Sequence, residues 1–245
     1  PANDVAVLFI ATSGCLPMCG HGTIGTITIG IEEALIKPKT PGVVRMEAPA
    51  GLVLIEYKEA GSQKPEIGRL SKVESVKLTN VPAFLHSTEL LAGCPELGEL
   101  VIDVAYGGNF YAIVDVQKNF KGLEHYTADK LISWARVLRK NINDKYSFVH
   151  PENETIKGCS HILWTGAVLD KKSTARNAVF YGDKAIDRSP CGTGTSARMA
   201  QWYAKGLMKP GDEFIHESII GSKFIGRIEE ELTVAGKPAI RPSIE

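Results

Sequence analysis

The sequence has no CxxC pair, and its five cysteines are dispersed at positions 15, 19, 94, 159 and 191. An odd, scattered set argues against a zinc cage and against a disulfide framework, and free thiols in a reducing, cytoplasmic setting are expected. No apolar run is long enough to span a bilayer, so no membrane partner is expected. No block of like charge occurs, and 28 basic residues balance 28 acidic ones. A nucleic-acid partner therefore has no electrostatic support. The first ten residues lack the basic start of a signal peptide and lead at once into a strand pattern. The last residues, Ala239 to Glu245, read as an unfinished element, so a chain trimmed at its ends is expected. What remains is an ordinary globular composition, 44% hydrophobic and 23% charged over 245 residues, enough for one large domain or two lobes.

Hydrophobic patterning alternates strands with a few helices. Val5 to Ala11 reads as a buried strand, and Ser13 to Gly22 as a turn. Thr23 to Ile36 reads as a helix, apolar nearly all round and therefore expected to be covered on every side. Residues 42–58 and 65–79 read as strands, with turns at Ala50-Gly51 and Gly61-Ser62. Leu100 to Ala105 and Phe110 to Val116 form a strand pair around Tyr106-Gly-Gly-Asn109. Ala128 to Asn141 is an amphipathic helix, with Leu131, Ile132, Ala135, Leu138 and Ile142 on one face. Strands are expected at 161–169, 177–181, 213–219 and 223–234. A second helix is expected from Thr195 to a stop at Gly206.

One long-range echo stands out. Cys19-Gly-His-Gly-Thr23 and Cys191-Gly-Thr-Gly-Thr195 share the pattern C-G-x-G-T, 191 − 19 = 172 residues apart. Each follows a proline (Pro17, Pro190) and opens a helix of apolar or small residues. Two similar α/β lobes, each with a central helix headed by a cysteine, account for the echo. A helix start offers unpaired N–H groups and the positive end of the dipole, and glycines let an anion come close, so each turn suits a carboxylate. The same field favours a thiolate, so both thiols are expected to have lowered pKa values. A thiolate on one lobe and a thiol on the other, flanking one carbon, could invert a stereocentre. A lone cysteine is more often a small core hydrophobe, and Cys15, Cys94 and Cys159 are read that way. Phosphate binding fits less well, since neither turn has a P-loop lysine or GxGxxG spacing.

Met18-Cys-Gly-His-Gly-Thr-Ile-Gly25 and Asp187-Arg-Ser-Pro-Cys-Gly-Thr-Gly-Thr-Ser-Ala197 closely resemble the two signature motifs of the proline racemase family. Ala105-Tyr-Gly-Gly-Asn-Phe-Tyr-Ala112 and His216-Glu-Ser-Ile-Ile-Gly221 also look like family segments, so the resemblance covers nearly the whole chain. It implies an α/β fold of two similar lobes, each a β half-barrel around a central helix as in diaminopimelate epimerase, with the site in the cleft. It implies residues 1–98 plus 230–245 as the first lobe and 99–229 as the second. Family members have further strands at both ends, so the first lobe is expected to be incomplete.

The resemblance also implies a cofactor-independent isomerase, without pyridoxal phosphate or metal; the sequence does not give the oligomer, though a homodimer is common for such lobed folds. Carried over by position, Cys19 and Cys191 become the two acid/base residues. The backbone N–H groups of Gly20, His21, Gly192 and Thr193 become carboxylate binders, and Asp187 the partner of the substrate's cationic nitrogen. Asp187 could instead be a turn aspartate paired with Arg188, and His21 could merely fill its turn. His161 matches a histidine that hydroxyproline epimerases use on the substrate's 4-hydroxyl, although a buried, backbone-satisfied histidine is the plainer reading. The small-molecule substrate expected first is 4-hydroxyproline, and second proline. A trans-3-hydroxyproline dehydratase is disfavoured by Cys191, because that branch has Thr there. A truncated, non-catalytic binding protein is the reading from another class.

Overall fold

The computed structural model describes residues 2–11, 14–60 and 72–245. The chain opens with β1 (Val5–Ala6), β2 (Phe9–Ala11) and β3 (Gly14–Leu16), the last two paired antiparallel. Helix α1 (Gly20–Glu32) follows, then β4 (Val43–Ala48), β5 (Gly51–Glu59) and β6 (Val73–Thr79). Next come β7 (Ala83–Cys94), β8 (Gly98–Tyr106) and β9 (Phe110–Val114), an antiparallel meander, and helix α2 (Ala128–Lys145). The small hairpin β10 (Val149–His150) and β11 (Asn153–Lys157) leads to β12 (His161–Gly166), β13 (Ala175–Tyr181) and β14 (Ala185–Ile186). Helix α3 (Gly192–Ala204) precedes β15 (Glu213–Glu217), β16 (Lys223–Val234) and β17 (Lys237–Ile244). The expected turn at Gly61-Ser62 and the start of the 65–79 strand lie outside the described residues.

Strands β7, β8, β9, β12, β13, β15, β16 and β17 pair in sequence, and β7 pairs back to β17, closing a ring. Helix α3 packs inside against β7, β8, β9, β16 and β17. Its first ten residues, Gly192 to Gln201, are all buried. The small residues of Gly192-Thr-Gly-Thr-Ser-Ala197 let a helix fit so closely. A β-carbon on Gly107 would lie 2.3 Å from the Thr193 carbonyl oxygen, so the β8–β9 turn touches the helix backbone itself. Amphipathic α2 covers the ring outside, its start capped by Thr127 and its Leu131, Ala135, Leu138 and Ile142 buried.

The second, smaller layer is β1, β4, β5 and β6, which α1 meets mainly through β6. Strand β17 joins the two parts: Ala239 and Ile240 pair with β7, and Ser243 and Ile244 pair with β6. The segment that reads as an unfinished element is thus a central strand. Pro238 and Pro242 obscure it, since proline normally marks an edge; a register shift between Ile228 and Glu230 accommodates the pairing near Pro242. Strand β7 is likewise hidden, because two bulges break its alternation. It pairs with β8 and packs on α2 and α3, so it sits with the elements that follow residue 99. The expectation of a helix covered on every side fails for α1, where Ile29 is 59% exposed. Within α1 only Gly20, Thr23, Ile27, Gly30 and Ile31 are buried. No helix among the described residues is long and apolar enough to cross a membrane.

Candidate active site

Both C-G-x-G-T turns become helix starts. Cys19 is the N-cap of α1, in extended backbone, and Cys191 is the N-cap of α3. Neither helix start is capped by a side chain, and neither first turn carries an acid. Their first N–H groups are therefore left for another acceptor. The two helices meet at their tips, Gly20 against Gly192: a β-carbon on Gly20 would lie 2.8 Å from the Gly192 α-carbon.

The turns are built differently. Cys191 has φ 62°, a left-handed conformation that a side chain rarely adopts. Such strain persists only where the surroundings hold it. Here the Cys191 N–H donates to Ser189 Oγ at 3.1 Å, and the Pro190 carbonyl accepts from Asn177 at 2.8 Å. Behind them Thr195 Oγ1 lies 2.8 Å from His216 Nδ1. At the other turn, Thr23 Oγ1 donates to the Cys19 carbonyl at 2.8 Å.

A cleft of about 320 Å³ runs between the turns, with Cys19, His21, Asp187, Cys191 and His161 on its wall. Gly20 and Thr193 line it too, whereas Gly192 does not and instead packs against Gly20. Every other residue expected at the site is thereby brought to one cavity. Asp187 faces His21 across the cleft, Oδ2 to Nδ1 3.4 Å, rather than Arg188, and accepts from Ser189 N at 2.8 Å. Its hydrogen bond and Cys19 raise His21 to about 10 against burial. Burial pushes the Asp187 carboxyl up, but His21 and Ser189 together hold it below its ordinary value.

The expectation of a lowered thiol pKa is reversed at Cys191. Burial, reinforced by the Asp187 charge, pushes it up to about 12 despite the Tyr111 hydrogen bond. Desolvation of a thiolate outweighs the helix end when the sulfur is this deep. The reading of the remaining cysteines holds for Cys94 and Cys159, which are buried, and fails for Cys15, which is exposed on β3.

His161, at the start of β12, is buried, with Nδ1 2.7 Å from Ser160 Oγ. Burial and the nearby Arg139 hold it down to about 4, so its ring is neutral at physiological pH. Its ring stacks on Tyr111, whose hydroxyl lies 3.2 Å from Cys191 Sγ. Tyr111 and Asn109 also line the cleft and were not singled out by sequence. The signal available was the Tyr-Gly-Gly-Asn-Phe-Tyr run, which marks a turn without showing what it faces. Among the described residues no three His, Cys, Asp or Glu side chains gather as a metal-binding group.

A model of the family described as proline racemase matches residues 1–245. The chain is 66% identical over 245 residues to a 4-hydroxyproline 2-epimerase of Spirosoma linguale, covering all of this chain and 71% of that protein. It is 62% identical over 244 residues to a 4-hydroxyproline 2-epimerase of Brucella suis biovar 1, with the same coverage of 100% and 71%. A solved hydroxyproline epimerase of Agrobacterium vitis, with bound trans-4-hydroxy-L-proline, superposes with a TM-score of 0.84 at 33% identity. That match covers 98% of this chain and 67% of the other.

Proposed function

Because this chain belongs to the proline racemase family, we propose that it epimerises 4-hydroxyproline at the α-carbon, interconverting trans-4-hydroxy-L-proline and cis-4-hydroxy-D-proline, with Cys19 and Cys191 as the acid/base pair. The observation that carries the reading is the meeting of two cysteine-headed helix starts at one cleft, Gly20 against Gly192.

The substrate carboxylate sits at the uncapped N–H groups of both helices. That is where negative charge spreads once the α-proton leaves, so the dipoles stabilise the carbanion more than the substrate. Asp187 faces the cationic ring nitrogen and keeps it oriented. One cysteine thiolate takes the α-proton and becomes a thiol, while the opposite thiol delivers its proton to the other face and becomes a thiolate. Protons balance, and the two sulfurs exchange roles. Burial favours the thiol form of Cys191, which suits it to deliver a proton, with Cys19 on the opposite face to take one. Neutral His161, with Nδ1 engaged by Ser160, leaves Nε2 for the 4-hydroxyl. A site built to bond a hydroxyl discriminates against proline, which lacks it.

Chiral chromatography with trans-4-hydroxy-L-proline and L-proline in parallel tests the reading. Appearance of cis-4-hydroxy-D-proline, with slower or absent D-proline, is expected. Equal turnover of both, or proline preferred, would replace it with proline racemisation.

A further inference from the structure

Tyr111 is fully buried and reaches three functional groups at once. Its hydroxyl lies 3.2 Å from Cys191 Sγ and 2.5 Å from Thr193 Oγ1, and its ring stacks on His161 with centroids 4.7 Å apart. Room for it comes from Gly194, where a β-carbon would lie 3.2 Å from the Tyr111 ring and 3.3 Å from the sulfur.

The hydrogens available allow this cluster a direction that ends on the sulfur. The Met18 carbonyl can only accept, and it takes one hydrogen of Asn109 Nδ2 at 2.8 Å. The other hydrogen goes to Thr193 Oγ1 at 3.3 Å. Thr193, whose Oγ1 also lies 3.9 Å from Cys191 Sγ, can then turn its own hydrogen to Tyr111, and Tyr111 its own to the sulfur. In that arrangement the chain from Asn109 through Thr193 and Tyr111 ends on Cys191 as an acceptor, which is what a thiolate requires. When Cys191 carries a proton, rotation of the tyrosyl hydroxyl toward Thr193 leaves the tyrosyl oxygen free to accept from the S–H.

We infer that Tyr111 is a positioning residue for Cys191, its hydroxyl donating to the sulfur in the thiolate state and accepting from it in the thiol state. The inference rests on the reading of Cys191 as a residue that gains and loses a proton each turnover.

The test is the rate of Cys191 alkylation by iodoacetamide in ligand-free protein at pH 8, followed peptide by peptide with Cys19 as internal reference. Losing a donor to a thiolate raises its pKa by about one unit. That lowers the thiolate fraction about tenfold while raising its intrinsic nucleophilicity about threefold, so Tyr111→Phe is expected to slow alkylation about threefold. A merely structural tyrosine would have the opposite effect, since a loosened site alkylates faster. An unchanged or faster rate would overturn the inference. Should Tyr111→Phe fail to fold, replacement of the protein's tyrosines by 3-fluorotyrosine strengthens the donor and should speed Cys191 alkylation; no change there would count equally against it. Alkylation needs no turnover. A protein that alkylated as expected but did not epimerise hydroxyproline would refute the functional reading and leave the hydrogen bond to Cys191 established.

Discussion

Gly20 and Gly192 touch at the tips of two helices that begin 172 residues apart (192 − 20 = 172). A β-carbon on Gly192 would lie 3.0 Å from the Gly20 α-carbon, and one on Gly20 would lie 2.8 Å from the Gly192 α-carbon. Neither neighbour is a flexible side chain, so any larger residue forces the helix starts apart. Since those starts carry Cys19 and Cys191, Gly192→Ala should cost about 1–3 kcal/mol of stability and about a hundredfold in kcat, because an ångström of misplacement is enough. Thermal melts beside epimerase assays would read this, and a wild-type rate would mean the contact does not set the cysteine spacing.

The two-base mechanism predicts solvent deuterium in the product isomer, while early unreacted substrate stays unlabelled. Cys191→Ser should lower epimerisation at least about a hundredfold, as serine is a far poorer acid and base at neutral pH. It should leave Cys19 able to exchange the α-proton of one isomer only, and Cys19→Ser should do the same for the other isomer. Mass spectrometry of each isomer in heavy water separates these outcomes, and epimerisation at full rate by Cys191→Ser would remove it as the second base.

Selectivity should reside in His161. His161→Leu is expected to reduce activity on 4-hydroxyproline by about 10- to 100-fold, the effect of a lost bond worth about 1–3 kcal/mol, with a much smaller loss on proline. Ser160→Ala, which frees Nδ1, should give a partial version of the same pattern. Parallel losses on both substrates would make His161 a packing residue.

The His21–Asp187 pair should leave a pH signature in stability. His21 is raised to about 10 from an ordinary 6.5. Its contribution is therefore complete below about pH 6.5 and is lost as pH rises through about 10. Half the His21 side chain is exposed, so screening keeps the effect to about 1 kcal/mol or less. Urea melts of wild type and Asp187→Asn should differ more at pH 6 than at pH 10.5. A gap that widens with pH would contradict the pairing.

Strain at Cys191 predicts a difference between two inactive variants. Both Cys191→Gly and Cys191→Ala remove the thiol, but only glycine accepts φ 62° freely. The glycine variant should be the more stable by about 1 kcal/mol, measured by chemical denaturation; a more stable alanine variant would show the backbone to be relaxed there.

The chain itself determined the acid/base candidates and the class of fold. Reactive residue, glycine and helix start are adjacent in each C-G-x-G-T run, so local chemistry is written where it acts. The amphipathic face of α2 was equally plain, because a helix with one wet side must alternate at helical spacing. Tertiary structure alone decided what joins those local units. β7 and β17 are invisible as patterns, since bulges and prolines break their alternation, and only their partners across the sheet make them strands. It also decided that α1 keeps an open face while α3 is enclosed, and that Cys191 is buried deeply enough for desolvation to overrule its helix end. Tyr111 and Asn109 became site residues for the same reason: hydrogen bonds to Met18, Cys191 and Thr193 span at least 80 positions. Contacts that distant depend on the closure of the ring around α3, which no local spacing encodes.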